Sequence, residues 1–379
     1  MTRRRTIVFV GGGSGGHLFP ALAVIEQLLS SVPAPRVVVL SSERRIDRQI
    51  LEPAAARLPG LEWESVFPVP RGGWLQRQLT APLKLLQGRR RGLRLLRALR
   101  PQLVVGLGAF ASVPGVLAAS QLQLPVVLLE WNTVPGTATR LLASRAVRIF
   151  HGLPLKSCSS ATWADKVEQT GVPIRSDFVT ATGAGAAADA DRFNDRRLLL
   201  ILGGSQGASR LNQIVRGIFS ERICGSRTGL SDGWTILHQT GEADLTEFQR
   251  FYAERGLPGE AVAFLHDLPA QLLRAGLVIS RAGAVTLAEI AAAAVPSILL
   301  PLSSAAGNHQ HWNADLFRQA GAGRVVCETD IDASGNAGSL ISELCGSPDR
   351  RRQMSMAAKG LARSDAAKVL AERLAQLPE

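Results

Sequence analysis

Short apolar runs alternate with amphipathic segments along most of the chain. Each run of about five residues ends near glycine or polar residues, which is typical of a buried strand that leads into a helix. The strands predicted in this way are Thr6–Val10, Arg36–Leu40, Leu103–Val105, Val126–Leu129, Val147–Phe150, Leu198–Leu202, Thr235–Gln239, Val262–Phe264, Leu277–Ser280 and Ser297–Leu300. Alternating strands and helices predict parallel sheets covered by helices on both faces, and therefore the α/β class.

The first strand of each half ends at a glycine-rich turn. These turns read Gly11-Gly-Gly-Ser-Gly-Gly-His17 and Gly203-Gly-Ser-Gln-Gly-Ala208. Glycine allows a sharp turn and close approach of a ligand, and the N-terminus of the following helix favours phosphate. We therefore predict two Rossmann-like domains, residues 1–175 and 176–348, that face a shared cleft. Residues 349–379 are predicted to be helical and to pack back toward the N-terminal domain.

Composition agrees with two ordinary domains and excludes several other classes. The chain has 379 residues, of which 46% are hydrophobic, enough for two cores. Its four cysteines are far apart in sequence and predict neither a zinc site nor a disulfide framework, which favours a reducing compartment. The apolar run behind the basic first residues is too short for a signal peptide, so we expect a cytoplasmic protein.

The net charge of +12 is concentrated in one stretch. No acidic residue occurs between Glu64 and Glu130, whereas basic and apolar residues alternate in Arg71–Arg100. Such a mixture can lie on an anionic bilayer, although a solvated basic helix over a core fits the same pattern. Nucleic acid is not expected, because aromatic residues are 5% of the chain and no stacking motif accompanies the arginines. The uncharged stretch Pro101–Leu129 is interrupted by glycine and proline, so it is not expected to span a membrane.

A dinucleotide-binding dehydrogenase is the first alternative for the glycine loops. Gly11–Gly16 satisfies the G-x-G-x-x-G pattern, but the second strand lacks an acidic residue at its end, with Glu43 only slightly beyond. This alternative also leaves the second glycine loop and His17 without a role.

Seven motifs together carry a resemblance to a known family. They are Gly11–His17, Gly106–Pro114, Glu130-Trp-Asn132, Gly171–Arg175, Gly203–Ala208, Ser280–Glu289 and His309–Asn313. In this order they resemble the motifs of the MurG family and cover nearly the whole chain. The resemblance implies the glycosyltransferase B fold. It also implies inverting transfer of N-acetylglucosamine from UDP-N-acetylglucosamine to the 4-hydroxyl of undecaprenyl-diphospho-N-acetylmuramyl pentapeptide, the step from lipid I to lipid II of peptidoglycan synthesis.

The resemblance also implies roles for individual residues. His17 and Glu130 are the two candidates for the catalytic base, and both stay open at this point. The residues expected to bind the donor or the substrates are Ser14, Gly15, Gly16, Asn132, Arg175, Ser205, Gln206, Leu265, Ala284, Val285, Thr286, Leu287, Ala288, Glu289 and Gln310. Among these, Asn132 and Gln310 match contacts to the donor sugar, Arg175 a contact to the phosphates, and Glu289 the ribose carboxylate. Leu265 falls where a backbone group reads uracil.

No tightly bound cofactor or metal is expected, and the sequence does not address stimulation by Mg²⁺. The two D-x-D patterns, at Asp189 and Asp330, are not placed like ligands of a metal diphosphate. The second glycine loop can stabilise the departing diphosphate instead. The expected partners are UDP-N-acetylglucosamine, an undecaprenyl-linked acceptor and an anionic membrane surface. The expected location is the cytoplasmic face of the inner membrane, without a transmembrane helix.

Several residues depart from the family pattern at or beside the expected cleft. They are Ala109, Phe110, Leu129, Trp131 and His311. They bear on fine acceptor contacts more than on donor binding. Three alternatives to the proposed reaction stay open: a related enzyme that glycosylates another lipid such as diacylglycerol, a UDP-sugar epimerase, and a non-enzymatic protein that retains the fold.

Overall fold

The computed structural model describes residues 4–70, 74–156, 162–183, 195–203, 209–220, 230, 233–330 and 332–377. The chain divides into two compact units. Unit 1 consists of residues 1–175 and 364–379, and unit 2 consists of residues 176–363.

Each unit is built on one parallel sheet. The strands of the first sheet are β1 Thr6–Val10, β2 Arg36–Ser42, β3 Leu61–Phe67, β4 Leu103–Gly106, β5 Val126–Glu130, β6 Arg148–His151 and β7 Val167–Gln169. The strands of the second are β8 Leu198–Leu202, β9 Thr235–Gln239, β10 Gly259–Val262, β11 Ala275–Ser280, β12 Ser297–Leu299 and β13 Gly323–Val325. Their spatial orders are β3-β2-β1-β4-β5-β6-β7 and β10-β9-β8-β11-β12-β13. The predicted α/β class with two parallel sheets is confirmed.

Helices connect the strands of both sheets. In unit 1 they are α1 Gly15–Leu29, α2 Arg45–Arg57, α3 Trp74–Leu99, α4 Ala109–Gln121 and α5 Thr137–Leu142. In unit 2 they are α6 Ser176–Gly183, α7 Ser209–Ser220, α8 Leu245–Glu254, α9 Leu268–Arg274, α10 Ala284–Ala292, α11 His309–Gln319, α12 Ala333–Cys345 and α13 Pro348–Leu361. The last described helix, α14 Ala366–Gln376, belongs to unit 1.

The central strands form the cores because they are apolar on both faces. All five residues of β1 and of β8 are buried, as expected for strands covered by helices on both sides. Helix α3 packs closely on α4 through two glycines. A Cβ at Gly88 would lie 3.0 Å from Pro114 Cβ, and a Cβ at Gly92 would lie 3.3 Å from Ala118 Cβ. This close packing places one face of α3 against the core of unit 1.

The division between the units differs from the predicted boundary at residue 348 by one helix. Helix α13 lies in unit 2 because Arg351, a buried residue of α13, donates from Nη1 to the carbonyls of Leu344 and Cys345 at the end of α12. Ser355 also donates to the Ala294 carbonyl at 2.6 Å. Helix α14 packs against α1 within unit 1. The Arg5 guanidinium, just before β1, donates to the Leu377 carbonyl at the end of α14 at 2.8 Å.

The Ala/Gly-rich segment Thr180–Asp191 has no helical or strand periodicity and predicts an exposed loop. In the structure its first four residues end helix α6, and residues 184–194 lie outside the described part of the chain. Among the described residues, no helix combines the length and the apolar character needed to cross a bilayer.

Candidate active site

The order of strands reverses at one point in each sheet. The reversal lies between β1 and β4 in unit 1, and between β8 and β11 in unit 2. Parallel sheets of this kind bind ligands beyond the carboxyl ends of the strands at such a switch point. Both glycine loops directly follow a strand at a switch point, so the sheet topology itself marks two candidate sites.

The glycine loop of unit 1 is shaped by a buried carboxylate. Gly11, Gly12 and Gly13 have φ of 137°, 144° and 92°, which side chains other than hydrogen rarely permit. Asp47 accepts hydrogen bonds from Gly13 N at 2.7 Å and from Ser42 Oγ at 2.6 Å. A Cβ at Gly12 would lie 2.2 Å from Asp47 Oδ2, so the loop and Asp47 fit each other only with glycine at this position.

Ser14, Gly15, Gly16 and His17 start helix α1 at the end of this loop. Ser14 is the N-cap, and its carbonyl accepts from His17 N at 3.2 Å. The His17 ring lies against the backbone of Gly108, where a Cβ would be 3.4 Å from His17 Cε1. Since Gly108 follows β4, the imidazole lies at the switch point of unit 1. The half-buried ring is therefore placed where the topology predicts a ligand.

Glu130 ends β5 as a buried carboxylate that accepts four hydrogen bonds. Its Oε1 accepts from Asn132 N and Asn132 Nδ2, both at 3.1 Å. Its Oε2 accepts from Gly136 N and Thr139 Oγ1, both at 2.8 Å. Because both oxygens are engaged, the carboxylate holds the loop after β5 and orients the Asn132 amide. This geometry fits a positioning residue better than a base.

Arg175 lies close to the first glycine loop as well. Its guanidinium stands 5.5 Å from the centre of the Phe19 ring of α1, within the range of a cation–π contact. Phe19 in turn packs against Gly15, where a Cβ would be 2.8 Å from Phe19 Cε2. In this way Gly15, Phe19 and Arg175 form one stack at the start of α1.

The departures from the family pattern fall into two kinds in unit 1. Leu129 and Trp131 are buried, so these replacements change the core around β5 and not the solvent-facing surface. Ala109 begins α4 with φ of 55°, a left-handed conformation that costs a residue with a Cβ roughly 1–2 kcal/mol. The family pattern has a glycine at this position, and glycine adopts the conformation without that cost.

In unit 2, helix α10 starts at the switch point beside β11. Its residues Ala284, Leu287 and Glu289 are buried, while Val285, Thr286 and Ala288 are half-buried. The buried amide of Asn313 donates to the Ala282 carbonyl at 3.1 Å and thereby fastens the turn before the helix to α11. The whole predicted segment Ala284–Glu289 is thus one helical start, with its N-terminal amides at the carboxyl edge of the sheet.

Gln239, the last residue of β9, connects two loops of this edge. Its backbone carbonyl accepts from Gly203 N at 3.1 Å, and its side-chain Oε1 accepts from Leu265 N at 3.2 Å. Leu265, the residue predicted to read uracil, therefore donates its backbone N–H to the Gln239 side chain. Ser205 and Gln206, predicted to contact phosphate, lie outside the described residues.

A buried network behind this edge fixes the position of α7. Asn212 Nδ2 donates to Thr240 O at 3.0 Å and to Asp244 Oδ2 at 2.6 Å. Its Oδ1 therefore faces His238 Nε2 at 3.2 Å, and that nitrogen must carry the proton. His238 Nδ1 then accepts from the Tyr252 hydroxyl at 3.0 Å. Burial lowers the pKa of His238 to about 3, so this histidine is neutral and structural.

Gln310, on the first turn of α11, is held through its amide oxygen. Leu302 N donates to Gln310 Oε1 at 3.0 Å, so the amide NH₂ group points away from the Leu302 backbone. His311 is exposed beside it. Of the two D-x-D aspartates in the described chain, Asp332 caps α12 by accepting from Gly335 N at 3.0 Å. No cluster of three or more His, Cys, Asp or Glu side chains suited to a metal occurs among the described residues.

Family models match both units of the chain. Residues 7–151 match the glycosyltransferase family 28 N-terminal domain, and residues 198–370 match the glycosyltransferase family 28 C-terminal domain.

Curated relatives match almost end to end. The UDP-N-acetylglucosamine–N-acetylmuramyl-(pentapeptide) pyrophosphoryl-undecaprenol N-acetylglucosamine transferase of Geobacter metallireducens is 32% identical over 97% of both chains. The protein of that name from Xylella fastidiosa strain M12 is 35% identical, over 98% of this chain and 96% of the relative.

Solved structures give the same architecture. The crystal structure of Acinetobacter baumannii MurG matches with a TM-score of 0.74 at 24% identity, over 98% of this chain and 100% of that chain. The UDP-GlcNAc 2-epimerase of Neisseria meningitidis matches with a TM-score of 0.65 at 14% identity, over 99% and 100%. At these identities the likeness shows the fold alone, the glycosyltransferase B fold, which transferases and epimerases share.

The sequence relatives decide the class within this fold. The chain belongs to glycosyltransferase family 28 and, within it, to the MurG family. It is therefore a glycosyltransferase, and both the resemblance and the fold predicted from the motifs are confirmed.

Proposed function

We propose that this glycosyltransferase moves N-acetylglucosamine from UDP-N-acetylglucosamine to the 4-hydroxyl of undecaprenyl-diphospho-N-acetylmuramyl pentapeptide, with inversion at the anomeric carbon. The observation that carries the proposal is the near-full-length identity of 31–35% to relatives whose names state this donor, this acceptor and transfer of N-acetylglucosamine. The placement of His17 at the switch point of unit 1, and of the start of α10, the helix that carries Glu289, at that of unit 2, supports it. A transfer assay with defined acceptors tests it, as described at the end of the Discussion.

The reaction needs a base, a bound donor and stabilisation of the leaving group. The acceptor oxygen forms a bond to the anomeric carbon while the bond from that carbon to the diphosphate breaks and UDP leaves with the electron pair. We assign the hydroxyl proton to His17, whose ring lies at the switch point of unit 1. Ser14, Gly15 and Gly16 provide the adjoining loop, and Arg175 provides a cation next to it.

The donor is assigned mainly to unit 2. Glu289 takes the ribose hydroxyls, the Leu265 backbone meets uracil, and Gln310 with Asn132 contacts the sugar. The loop Gly203–Ala208, with Ser205 and Gln206, and the start of α10 supply N–H groups and helix dipoles for the diphosphate. We propose that no resident metal is needed for this step, since these groups can stabilise the negative charge of the departing UDP.

Glu289→Ala is expected to weaken UDP binding by roughly 10- to 150-fold, because a hydrogen bond to a charged group contributes about 1.5–3 kcal/mol. Isothermal titration with UDP measures the change. UDP should also raise the unfolding temperature of the wild-type protein and do so much less for the variant. The control is Glu254→Ala, which removes an exposed carboxylate from α8 of the same unit. Equal UDP affinity in wild type and Glu289→Ala would exclude the ribose assignment.

We further propose that α3 binds the cytoplasmic leaflet of the inner membrane, where a lipid-linked acceptor resides. Leu79, Leu83 and Leu86 follow each other at helical spacing, and 78%, 56% and 42% of their surfaces are exposed. Arg90, Arg94 and Arg97 continue the same spacing and are also exposed. One face of α3 is therefore apolar at first and then basic, as suits insertion beside anionic headgroups. Of the residues predicted for this surface, Arg71 and the side chains of Trp74, Leu75 and Arg77 lie outside the described part.

Replacing Leu79, Leu83 and Leu86 by serine is expected to abolish most binding to anionic vesicles. Replacing Arg90, Arg94 and Arg97 by glutamine should remove about 1 kcal/mol per residue and make the remaining binding less sensitive to salt. Co-sedimentation with vesicles of neutral and of anionic lipid measures both effects. Leu141→Ser is the control, since Leu141 is an exposed leucine elsewhere on unit 1. Vesicle binding that is indifferent to lipid charge and to these substitutions would contradict the proposal.

A further inference from the structure

Three loops at the carboxyl edge of the second sheet meet at one buried carboxylate. Glu328 follows β13, Arg281 follows β11, and Ser303 follows β12. Glu328 Oε1 accepts from Ser303 N at 2.6 Å and from Ser303 Oγ at 2.7 Å. Its Oε2 forms an ion pair with Arg281 Nη1, which also donates to the Leu300 carbonyl at 3.0 Å. We call this set the Glu328 clamp.

The charges of the clamp are removed from solvent. Only 14% of the Arg281 side chain and 4% of the Glu328 side chain are exposed. Burial alone would raise the pKa of Glu328, but the Ser303 donors and the Arg281 guanidinium outweigh it and lower the pKa below its ordinary value. The carboxylate is therefore charged at neutral pH. Removal of one partner would leave a buried charge without compensation, which is costly.

The clamp is directly connected to the predicted sugar-binding amide. Ser303 follows Leu302, and Leu302 N donates to Gln310 Oε1 at 3.0 Å. With the amide oxygen held, the Gln310 NH₂ group keeps one orientation and presents donors to a ligand. The Glu328 carbonyl also accepts from Arg210 Nη2 at 3.2 Å. Since Arg210 lies on the first turn of α7, the clamp also contacts the helix that follows the second glycine loop.

We propose that Glu328 and Arg281 are positioning residues for the sugar of the donor: they fix the Leu302–Ser303 loop, and this loop orients Gln310 to donate to an oxygen of the sugar. The inference rests on the proposed function, because it concerns the donor sugar of that reaction. It assigns the clamp no contact with the nucleotide. Loss of the clamp should therefore weaken the binding of UDP-N-acetylglucosamine and leave the binding of UDP nearly unchanged.

The test compares the two ligands in Glu328→Ala and Glu328→Gln. Glu328→Ala should raise the KM for UDP-N-acetylglucosamine by about tenfold, the value of one well-formed hydrogen bond, while the Kd for UDP changes less than about twofold. Glu328→Gln should recover part of the loss, because the glutamine oxygen can still accept from both Ser303 donors, whereas its NH₂ group cannot pair with Arg281. A merely structural role would weaken the binding of UDP and UDP-N-acetylglucosamine by the same factor, and this result would overturn the inference.

A double-mutant cycle with Gln310→Ala supplies the second arm. If the clamp acts through Gln310, then Glu328→Ala in the Gln310→Ala background should change the KM less than about twofold. Additive effects on the KM would overturn the inference. If Glu328→Ala is poorly stable, Arg281→Gln replaces it in the cycle, since it removes the other partner of the ion pair. Absence of sugar transfer by the wild-type protein would instead contradict the proposed function, so the two failures are distinguishable.

Discussion

His17→Ala is expected to lower kcat by roughly a hundred- to ten-thousand-fold and to leave the affinity for UDP near that of wild type. A positioned base contributes about this factor, and histidine can accept a proton near neutral pH because its unperturbed pKa is about 6.5. The UDP-binding residues proposed above lie mainly in unit 2, whereas His17 lies in unit 1 beside Gly108. Loss of the imidazole should therefore affect the chemical step and not nucleotide binding.

The pH dependence of kcat separates a catalytic from a structural histidine. In the wild type the rate should fall on the acidic side, because a protonated imidazole cannot take the acceptor proton. That acidic limb should be absent from His17→Ala and also from His17→Gln, which keeps a polar side chain without a base. A variant that keeps a substantial rate with an unaltered acidic limb would show that His17 only shapes the loop, and Glu130 would then be the remaining candidate for the base.

Glu130→Ala is expected to destabilise unit 1 by about 2–4 kcal/mol, because each buried donor left without an acceptor costs about 1–3 kcal/mol. Four hydrogen bonds end on this carboxylate, two of them from the backbone N–H groups of Asn132 and Gly136. For a unit of this size the unfolding temperature should fall by roughly 5–15 °C. Activity should fall as well, since Asn132 loses its orientation, but the acidic limb of the rate profile should persist.

Thermal unfolding and the pH profile together test this assignment. Glu64→Ala is the control, because Glu64 is an exposed carboxylate on β3 of the same unit and its loss should change stability by less than about 0.5 kcal/mol. Glu130→Gln should regain only part of the stability lost in Glu130→Ala, since one carboxylate oxygen becomes an NH₂ group that cannot accept a hydrogen bond. An unfolding temperature equal to that of wild type, together with loss of the acidic limb, would instead identify Glu130 as the base.

The strands predicted from sequence and those missed differ in their place in the sheets. Every central strand was predicted within a few residues, because burial on both faces requires a continuous apolar run. In the sheets as described, the strands missed were β3, β7 and β13, and β10 was placed three residues too late. These four are the edge strands. They are short or carry exposed polar residues, as Leu61–Phe67 does, so their sequences lack the apolar run that predicts a strand.

The candidate site also contains residues that a local motif locates and residues that no local motif locates. His17 and Glu289 could be placed from local motifs, because a glycine loop and a helix start fix where the next side chains lie. Asp47 and the Glu328 clamp could not be placed in that way. Asp47 acts on a loop 34 residues earlier, and Glu328 acts on Ser303, 25 residues earlier. Such contacts depend on which strands are neighbours, and no local pattern of residue types indicates them.

The measurement that tests the central claim most directly is transfer of radiolabelled N-acetylglucosamine from UDP-N-acetylglucosamine by the purified protein, with the products separated by chromatography. The acceptors are undecaprenyl-diphospho-N-acetylmuramyl pentapeptide and, in parallel, diacylglycerol. We expect label in the undecaprenyl-linked disaccharide product, dependent on His17, and none in diacylglycerol. Transfer to diacylglycerol alone, or conversion of the donor sugar to its 2-epimer without transfer to either acceptor, would contradict the proposed function.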